Sequence, residues 1–440
     1  MRVDGSLEFV SDGTGDTSFR SGYVRRVVDA ELDTLLAQLP AVLLDGPKAV
    51  GKTATALQRA ETVHRLDRPG VVSVAEADPD VLLAGPRPVL LDEWQRVPAL
   101  WDAVRTAADN DMSAGQFLLT GSTPAGGTHS GAGRITSLRV RPLTLPERGV
   151  SPGSVSLAGL FDGNADLSVM CDLGLGDYTD FILASGFPGM QHLTGHALRT
   201  QLDGYLERIV DADMVEAGLK VRRPASLMAW LRAYAAATAT NTSWDRLRDA
   251  ASAGQDNKPA KTTTLPYIDV LTRLRILDDL PAWLPTRNHL SRLTQRAKHH
   301  LADPALAARL VGVTRAQLLA GVGEALTPAD GTFLGQLFES LATLSVRVFA
   351  GPVGARVWHV RDHSGRHEVD LIVERDEDRK VVAFEVKLAS SVDDRDVRHL
   401  LWLREQLGDD LLDCAVLTTG PAAYRRRDGV AVIPLGLLGA

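Results

Sequence analysis

Apolar residues in the N-terminal third alternate between short unbroken runs and helical spacing. Val27, Leu32, Leu35 and Leu36 recur at the interval of an amphipathic helix. The run AVLL at 41–44 follows, bounded by Pro40 and Gly46, and suits a strand buried on both faces. Residues 88–91 and 116–120 repeat that pattern, with a helical stretch over 100–108 between them. Helix and buried strand in alternation predict an α/β sheet domain. A Gly-rich loop at 123–133 and an irregular stretch at 149–176 end it near residue 150.

Residues 180–280 are helical in pattern. Tyr267, Val270, Leu271 and Leu274 stand at i, i+3, i+4 and i+7, with Thr264 as the expected cap of that helix and Pro266 in its first turn. A third unit opens with Leu334, Leu337, Phe338, Leu341 and Leu344 at helical spacing, followed by strands over 355–360, 368–374 and 381–388. The division predicted is a tail over 1–22, an α/β domain over 23–150, a helical domain over 180–325 and an α/β domain over 326–440.

Composition changes little in this picture but narrows the class. At 440 residues, 45% hydrophobic and 23% charged, the chain matches soluble globular proteins. It has no apolar run of about 18 residues, so no membrane partner is expected. The acid-containing start lacks the pattern of a secretion signal, so a cytoplasmic location is expected. The two cysteines, Cys171 and Cys414, lack the spacing of a zinc site or a disulfide framework. A net charge of -7 requires any nucleic-acid surface to be a local patch.

The strongest chemical signal is Gly46-Pro47-Lys48-Ala49-Val50-Gly51-Lys52-Thr53, which fits G-x-x-x-x-G-K-[ST] between a strand and a helix. Its glycines let backbone N–H groups curl round phosphates, Lys52 offers charge to the β/γ oxygens, and the Thr53 hydroxyl suits Mg²⁺. About 40 positions on, Val89-Leu90-Leu91-Asp92-Glu93 is an apolar strand ending in two acids. Asp92 is the expected metal-shell carboxylate and Glu93 the base for the attacking water, the alternative being a solvated acidic strand end. After the third strand, Ser122 or Thr120 either reaches the γ-phosphate or serves as a turn residue.

The run from Tyr23 to Arg26, AVLLDGPKAVGKT, VLLDEWQRVP and FLLTGS together resemble prokaryotic AAA-type ATPases that carry a C-terminal domain of unknown function. That resemblance covers most of the chain and implies a P-loop core with ATP and Mg²⁺ as cofactors. It also takes in Gly186-Phe187-Pro188, and Gly133-Arg134 before Pro142-Leu143-Thr144-Leu145-Pro146-Glu147. Arg134 is thereby the candidate arginine finger, with a solvated arginine as the alternative. A finger supplied in trans requires a homo-oligomer.

The middle region has two helical segments, a polar loop with Asn257, Lys258 and Lys261, and a short apolar strand at Ile276-Leu277. That order matches a winged-helix module, as the resemblance also implies, or a helical lid. Residues 284–302 lack acids but contain Arg287, Arg292, Arg296 and Lys298 with His289, His299 and His300. They read as a solvated hairpin with surface histidines or as a DNA contact.

In the third unit, Glu368-Val369-Asp370 and Phe384-Glu385-Val386-Lys387 form a D…E-x-K pattern that resembles the PD-(D/E)xK nuclease superfamily, with its restriction-endonuclease-like fold. Pairing of the two strands would set Asp370 beside Glu385, with Lys387 on the same face. Glu339 on the opening helix would supply a further carboxylate. Such a set could bind a second Mg²⁺ or Mn²⁺ and cleave a phosphodiester. An ordinary ion pair on an edge strand, or a fold that binds without cutting, remains the alternative. The expected protein is thus an ATPase coupled to a DNA-binding or nuclease-like half. The other readings are a nucleotide-gated module with little hydrolysis and an ATP-licensed endonuclease.

Overall fold

The computed structural model describes residues 9–10, 19–20, 22–121, 132–252, 261–283, 296–320, 330–362 and 366–440. These divide into two compact units, 1–141 and 142–440. Within the N-terminal tail, Phe9–Val10 pairs antiparallel with Phe19–Arg20.

The first unit carries strands β1 (Ala41–Asp45), β2 (Thr62–Arg65), β3 (Val89–Asp92), β4 (Phe117–Gly121) and β5 (Ile135–Arg139). They form a wholly parallel sheet in the order β2-β3-β4-β1-β5. Helices α1 (Val27–Leu36), α2 (Lys52–Leu57), α3 (Pro69–Ala77) and α4 (Ala99–Asn110) connect or cover the strands. Crossover helices screen both faces of such a sheet, so its inner strands are apolar up to their C-terminal ends, where Asp45, Asp92 and Thr120 stand. Every residue of β3 and β4 is buried, whereas β2 is not buried at any position. Leu91, Phe117 and Leu119 pack with Trp94, Trp101 and Val104 in a core on one face.

A parallel sheet gathers the C-terminal ends of its strands along one edge. The register aligns Asp45 with Gly121 and with Arg139, and Asp92 with Thr120. The turn leaving β1 is tight: a Cβ on Gly46 would stand 2.3 Å from the Val140 carbonyl oxygen. Gly51 has φ 101°, in the left-handed region that glycine occupies without steric cost.

The second unit begins with α5 (Leu157–Asp162), a helix inside the stretch expected to be irregular, capped by Ser156 Oγ accepting from the Gly159 N–H. Helices α6 (Leu175–Ala184), α7 (Gly195–Arg208), α8 (Pro224–Ala236), α9 (Trp244–Ala250) and α10 (Lys261–Arg273) follow. Helix α10 starts three residues before the expected cap Thr264, so Pro266 lies inside it rather than in its first turn. Antiparallel bridges then join Leu277 to Leu301 and Leu280 to Lys298. Arg287, His289 and Arg292 lie outside the described residues, as do Asn257 and Lys258. Lys298, His299 and His300 are buried, which corrects the expectation of a solvated arm with surface histidines.

Helices α11 (Pro304–Val311), α12 (Arg315–Ala320) and α13 (Asp330–Ala350) lead to the C-terminal sheet. Its strands are β6 (Ala355–Arg361), β7 (Glu368–Arg375), β8 (Val381–Val386), β9 (Leu411–Thr418), β10 (Tyr424–Arg425) and β11 (Ala431–Pro434), with α14 (Asp394–Leu407) crossing from β8 to β9. The order is β10-β11-β9-β8-β7-β6, with β6, β7 and β8 an antiparallel meander and β9 parallel to β8. β8 is an inner strand, so the edge-strand alternative for Glu385 and Lys387 does not hold. Among the described residues no helix is long and apolar enough to cross a membrane.

The Gly46 turn yields a stability test. Gly46→Ala puts a methyl group against a backbone carbonyl that cannot rotate away, and the expected loss is about 1–3 kcal/mol in chemical denaturation. Gly70→Ala, in α3 with nothing within 4 Å of its Cβ, serves as a control expected to lose no stability and to gain up to about 1 kcal/mol.

Candidate functional site

The loop from Gly46 to Gly51 leaves the C-terminal edge of the first sheet and returns into α2, whose first residues are Lys52 and Thr53. The Lys52 ammonium is buried and donates to the carbonyls of Gly46, at 2.7 Å, and Pro47, at 2.9 Å. Burial lowers its pKa to about 8, against the opposing pull of Glu93, Asp45 and Asp92. Its two acceptors are neutral loop carbonyls, so anionic phosphate oxygens are a better match for its charge.

Asp92 Oδ1 accepts from Thr53 Oγ1 at 2.7 Å and from Thr120 Oγ1 at 2.5 Å. One carboxylate oxygen therefore gathers α2, β3 and β4. Thr120 takes the inward position expected of a polar residue on the third strand, while Ser122 lies outside the described residues. The chain turns sharply at Glu93, which has φ 60° and ψ 41°, a left-handed conformation costing roughly 1–3 kcal/mol. Buried Trp94, packed at a tilt against Trp101 with ring centroids 4.9 Å apart, anchors that turn. Gln95 Nε2 donates to Glu93 Oε2 at 2.6 Å and holds the carboxylate. A Cβ on Gly121 would meet Gln95 Oε1 at 2.4 Å, which explains the glycine ending β4.

Several participants lie outside the phosphate-loop motif. Arg26 Nη1 donates to the Val50 carbonyl at 3.1 Å, inside the loop. The Tyr23 hydroxyl pairs with Thr55 Oγ1 at 2.9 Å and donates to Asp29, which also receives Arg59. The segment before α1 thus braces the loop and α2. Arg139, aligned with Asp45 at the end of β5, contributes positive charge that lowers the Lys52 pKa. Its signal was its position at a strand end, which is invisible until the strand is known. Arg134 instead precedes β5 and pairs with Asp109 at 2.5 Å. It stands at the opposite sheet edge from the loop, roughly 16 Å away by strand rise.

The C-terminal carboxylates form a separate cluster. The β7–β8 register pairs Leu371 with Phe384, which sets Asp370 opposite Glu385. Lys387 Nζ donates to Glu385 Oε2 at 2.9 Å. Glu339 on α13 and Glu368 on β7 join them, but Lys298 stands among the acids. Its ammonium lies 2.8 Å from Glu339, 3.0 Å from Glu368 and 2.8 Å from Asp370. Burial would raise the Asp370 carboxyl, yet the Lys298 charge overrides it and holds it at about 2. Glu339, raised by burial and by the Asp370 charge, reaches about 8. The expected second Mg²⁺ or Mn²⁺ therefore does not fit this donor set as it stands, because an internal cation already satisfies it. Among the described residues no group of three or more His, Cys, Asp or Glu could hold a metal ion.

Comparison with known proteins agrees with the geometry of the first unit. Residues 38–148 match the model of an AAA domain, residues 175–317 a domain of unknown function (DUF8612), and residues 334–438 another (DUF4143). The chain thus carries an AAA-type P-loop domain followed by two domains of unknown function. Uncharacterized proteins Rv2008c of Mycobacterium tuberculosis and Mb2031c of Mycobacterium bovis are each 24% identical over 420 residues, spanning 93% of this chain and 83% of theirs. Among solved structures, the Walker-type ATPase PABY2304 of Pyrococcus abyssi is 16% identical over 64% of this chain and 94% of its own, with TM-score 0.38. The RuvB Holliday junction branch migration motor of Thermotoga maritima is 20% identical over 61% and 94%, with TM-score 0.25.

The depressed Lys52 pKa has a measurable consequence. Phosphates favour the charged lysine, so nucleotide binding near pH 8 takes up a proton, and deprotonation of the free protein weakens binding as pH rises. Titration calorimetry is expected to show an affinity loss of about tenfold between pH 7.5 and 9, with Lys52→Arg, which stays charged, removing that dependence.

Proposed function

We propose that the protein is a Mg-ATP hydrolase whose nucleotide state governs a DNA-facing C-terminal half. The observation that carries this reading is the meeting of Lys52, Thr53, Asp92 and Glu93 at one edge of a single parallel sheet. On binding, Lys52 exchanges the Gly46 and Pro47 carbonyls for β/γ phosphate oxygens. Thr53 and Asp92, already hydrogen-bonded, are the residues that would hold Mg²⁺. When bound, that ion would supply positive charge to offset that of the phosphates. Glu93 orients the attacking water and takes its proton, and its link to Gln95 fixes where the carboxylate points. Thr120 holds Asp92 from β4, and Arg139 stands beside Asp45 by strand register, at the same end of the sheet. Arg134, at the far sheet edge, acts as a finger only toward a neighbouring chain in a homo-oligomer.

Two arrangements support the DNA-facing half. Helices α8, α9 and α10 followed by the bridged arms at Leu277–Leu301 have the order of a winged-helix module. The sequence α13, β6, β7, β8, α14, β9, with Asp370 and Glu385 on adjacent strands and Lys387 directly after β8, resembles the order of a PD-(D/E)xK fold. The position of Lys298 favours binding without cleavage over an ATP-licensed endonuclease.

Turnover assays test this reading. Glu93→Gln is expected to retain ATP and lose at least about a hundredfold in kcat, the scale of a positioned general base. Lys52→Ala is expected to lose nucleotide binding in calorimetry. Retained turnover in Glu93→Gln would remove the proposed base. Hydrolysis measured with and without duplex DNA tests the coupling: stimulation supports it, and an unchanged rate, together with no DNA retention in a mobility-shift assay, removes DNA from the proposal.

A further inference from the structure

The acidic cluster of the C-terminal sheet is occupied by a side chain from the preceding module. Lys298 lies on the arm that bridges Leu280, and its Nζ meets Glu339, Glu368 and Asp370 at 2.8 to 3.0 Å. Those carboxylates come from two elements, α13 and β7, so their convergence is a property of the fold and not of one loop. The ammonium stands where a divalent cation shared by the same oxygens would stand.

Few donors are left over. Asp370 Oδ1 accepts from Lys298 and its Oδ2 from the Val386 N–H at 3.0 Å. Glu385 Oε2 is taken by Lys387, leaving Glu385 Oε1 as the buried oxygen without a partner. A hard divalent ion requires about six oxygen ligands and tolerates no ammonium inside its shell. Lys298 and the ion are therefore mutually exclusive.

The arm is held in place independently of the ion pairs. The Lys298 N–H donates to the Leu280 carbonyl at 2.9 Å and its carbonyl accepts from the Leu280 N–H at 2.8 Å, while His359 Nε2 meets the Arg296 carbonyl at 3.0 Å. The facing arm is fixed in turn by the Trp283 N–H on the His359 carbonyl at 2.6 Å, the His359 N–H on the Pro281 carbonyl at 3.0 Å, and Arg347 on the carbonyls of Asp278 and Asp279. Lys298 itself is 2% exposed. A surface lysine swinging by chance into an acidic pocket would have none of these supports.

We propose that Lys298 is a built-in counter-ion that replaces a divalent metal, making the C-terminal carboxylate cluster a structural clasp between the bridged arm and the sheet rather than a metal centre. This inference goes beyond the ATPase reading and does not depend on it. The acids' oxygens are arranged round the Lys298 ammonium, and loss of the lysine exposes them to an external cation. Any cleavage chemistry at Asp370 and Glu385 is silent while the arm is docked.

The test uses the full chain without nucleotide and Mn²⁺ as the probe, with free Mn²⁺ read by electron paramagnetic resonance. Wild-type protein and Asp370→Asn are expected to bind Mn²⁺ equally. Binding by wild type that Asp370→Asn abolishes would overturn the proposal without recourse to any lysine variant. Lys298→Met, which keeps length and removes charge, is expected to gain at least tenfold in Mn²⁺ affinity and to lose that gain when combined with Asp370→Asn. Its thermal midpoint is expected to rise with Mn²⁺ while that of wild type does not. A Lys298→Met protein that folds and binds no more Mn²⁺ than wild type also overturns it.

Discussion

Asp92 Oδ1 is the point on which the first unit depends. A single buried oxygen accepts from Thr53 at the start of α2 and from Thr120 near the end of β4. Each donor lies on a different element, so the hydrogen bonds fix the phosphate loop against the sheet as well as satisfying a buried charge. Strand order makes the arrangement available, because β4 separates β3 from β1 and carries its own polar residue between them. Glu93 inherits its place from the same strand end, at the cost of a left-handed backbone that Trp94 packing sustains.

The two units treat a buried lysine in opposite ways. Lys52 donates to neutral carbonyls, and desolvation lowers its pKa although Glu93, Asp45 and Asp92 pull the other way, leaving its charge with no directly bonded anion. Lys298 is surrounded by three acids, which raise its pKa despite complete burial. Open electrostatic demand suits a ligand that comes and goes, whereas a saturated pair suits a permanent joint. Two clusters that read alike as chemistry in one dimension therefore have opposite capacities for a ligand.

The brace from Tyr23 to Arg26 shows how support reaches the nucleotide loop from outside its motif. Asp29 accepts from the Arg26 N–H, Tyr23 and Arg59, while Arg26 reaches the Val50 carbonyl. A similar role falls to Asp303 in the second unit, whose buried carboxylate accepts from Ser185 and from the Gly186 N–H, holding the Gly186-Phe187-Pro188 turn. Gly186 is required there because a Cβ would meet the Leu143 carbonyl at 2.8 Å.

The inner strands β1, β3 and β4 were legible because burial on both faces demands unbroken apolar runs, and the phosphate loop because its backbone geometry demands glycine. The edge strands β2 and β5 were not, since Thr62–Arg65 and Ile135–Arg139 are half-covered and mix polar with apolar residues. Arg139 goes unmarked with its strand, whereas Gly133-Arg134, which the sequence does mark, lies at the other end of β5. In the C-terminal sheet, the sequence spacing was enough to put Asp370 near Glu385, because strand alternation and pairing are local rules. The identity of the cation among those acids was decided by tertiary structure: Lys298 lies 41 residues from Glu339 and 72 from Asp370, and only the docking of its arm brings them together. Periodicity and motif report what a residue's near neighbours require of it, while charge pairing across such separations is fixed by the fold alone.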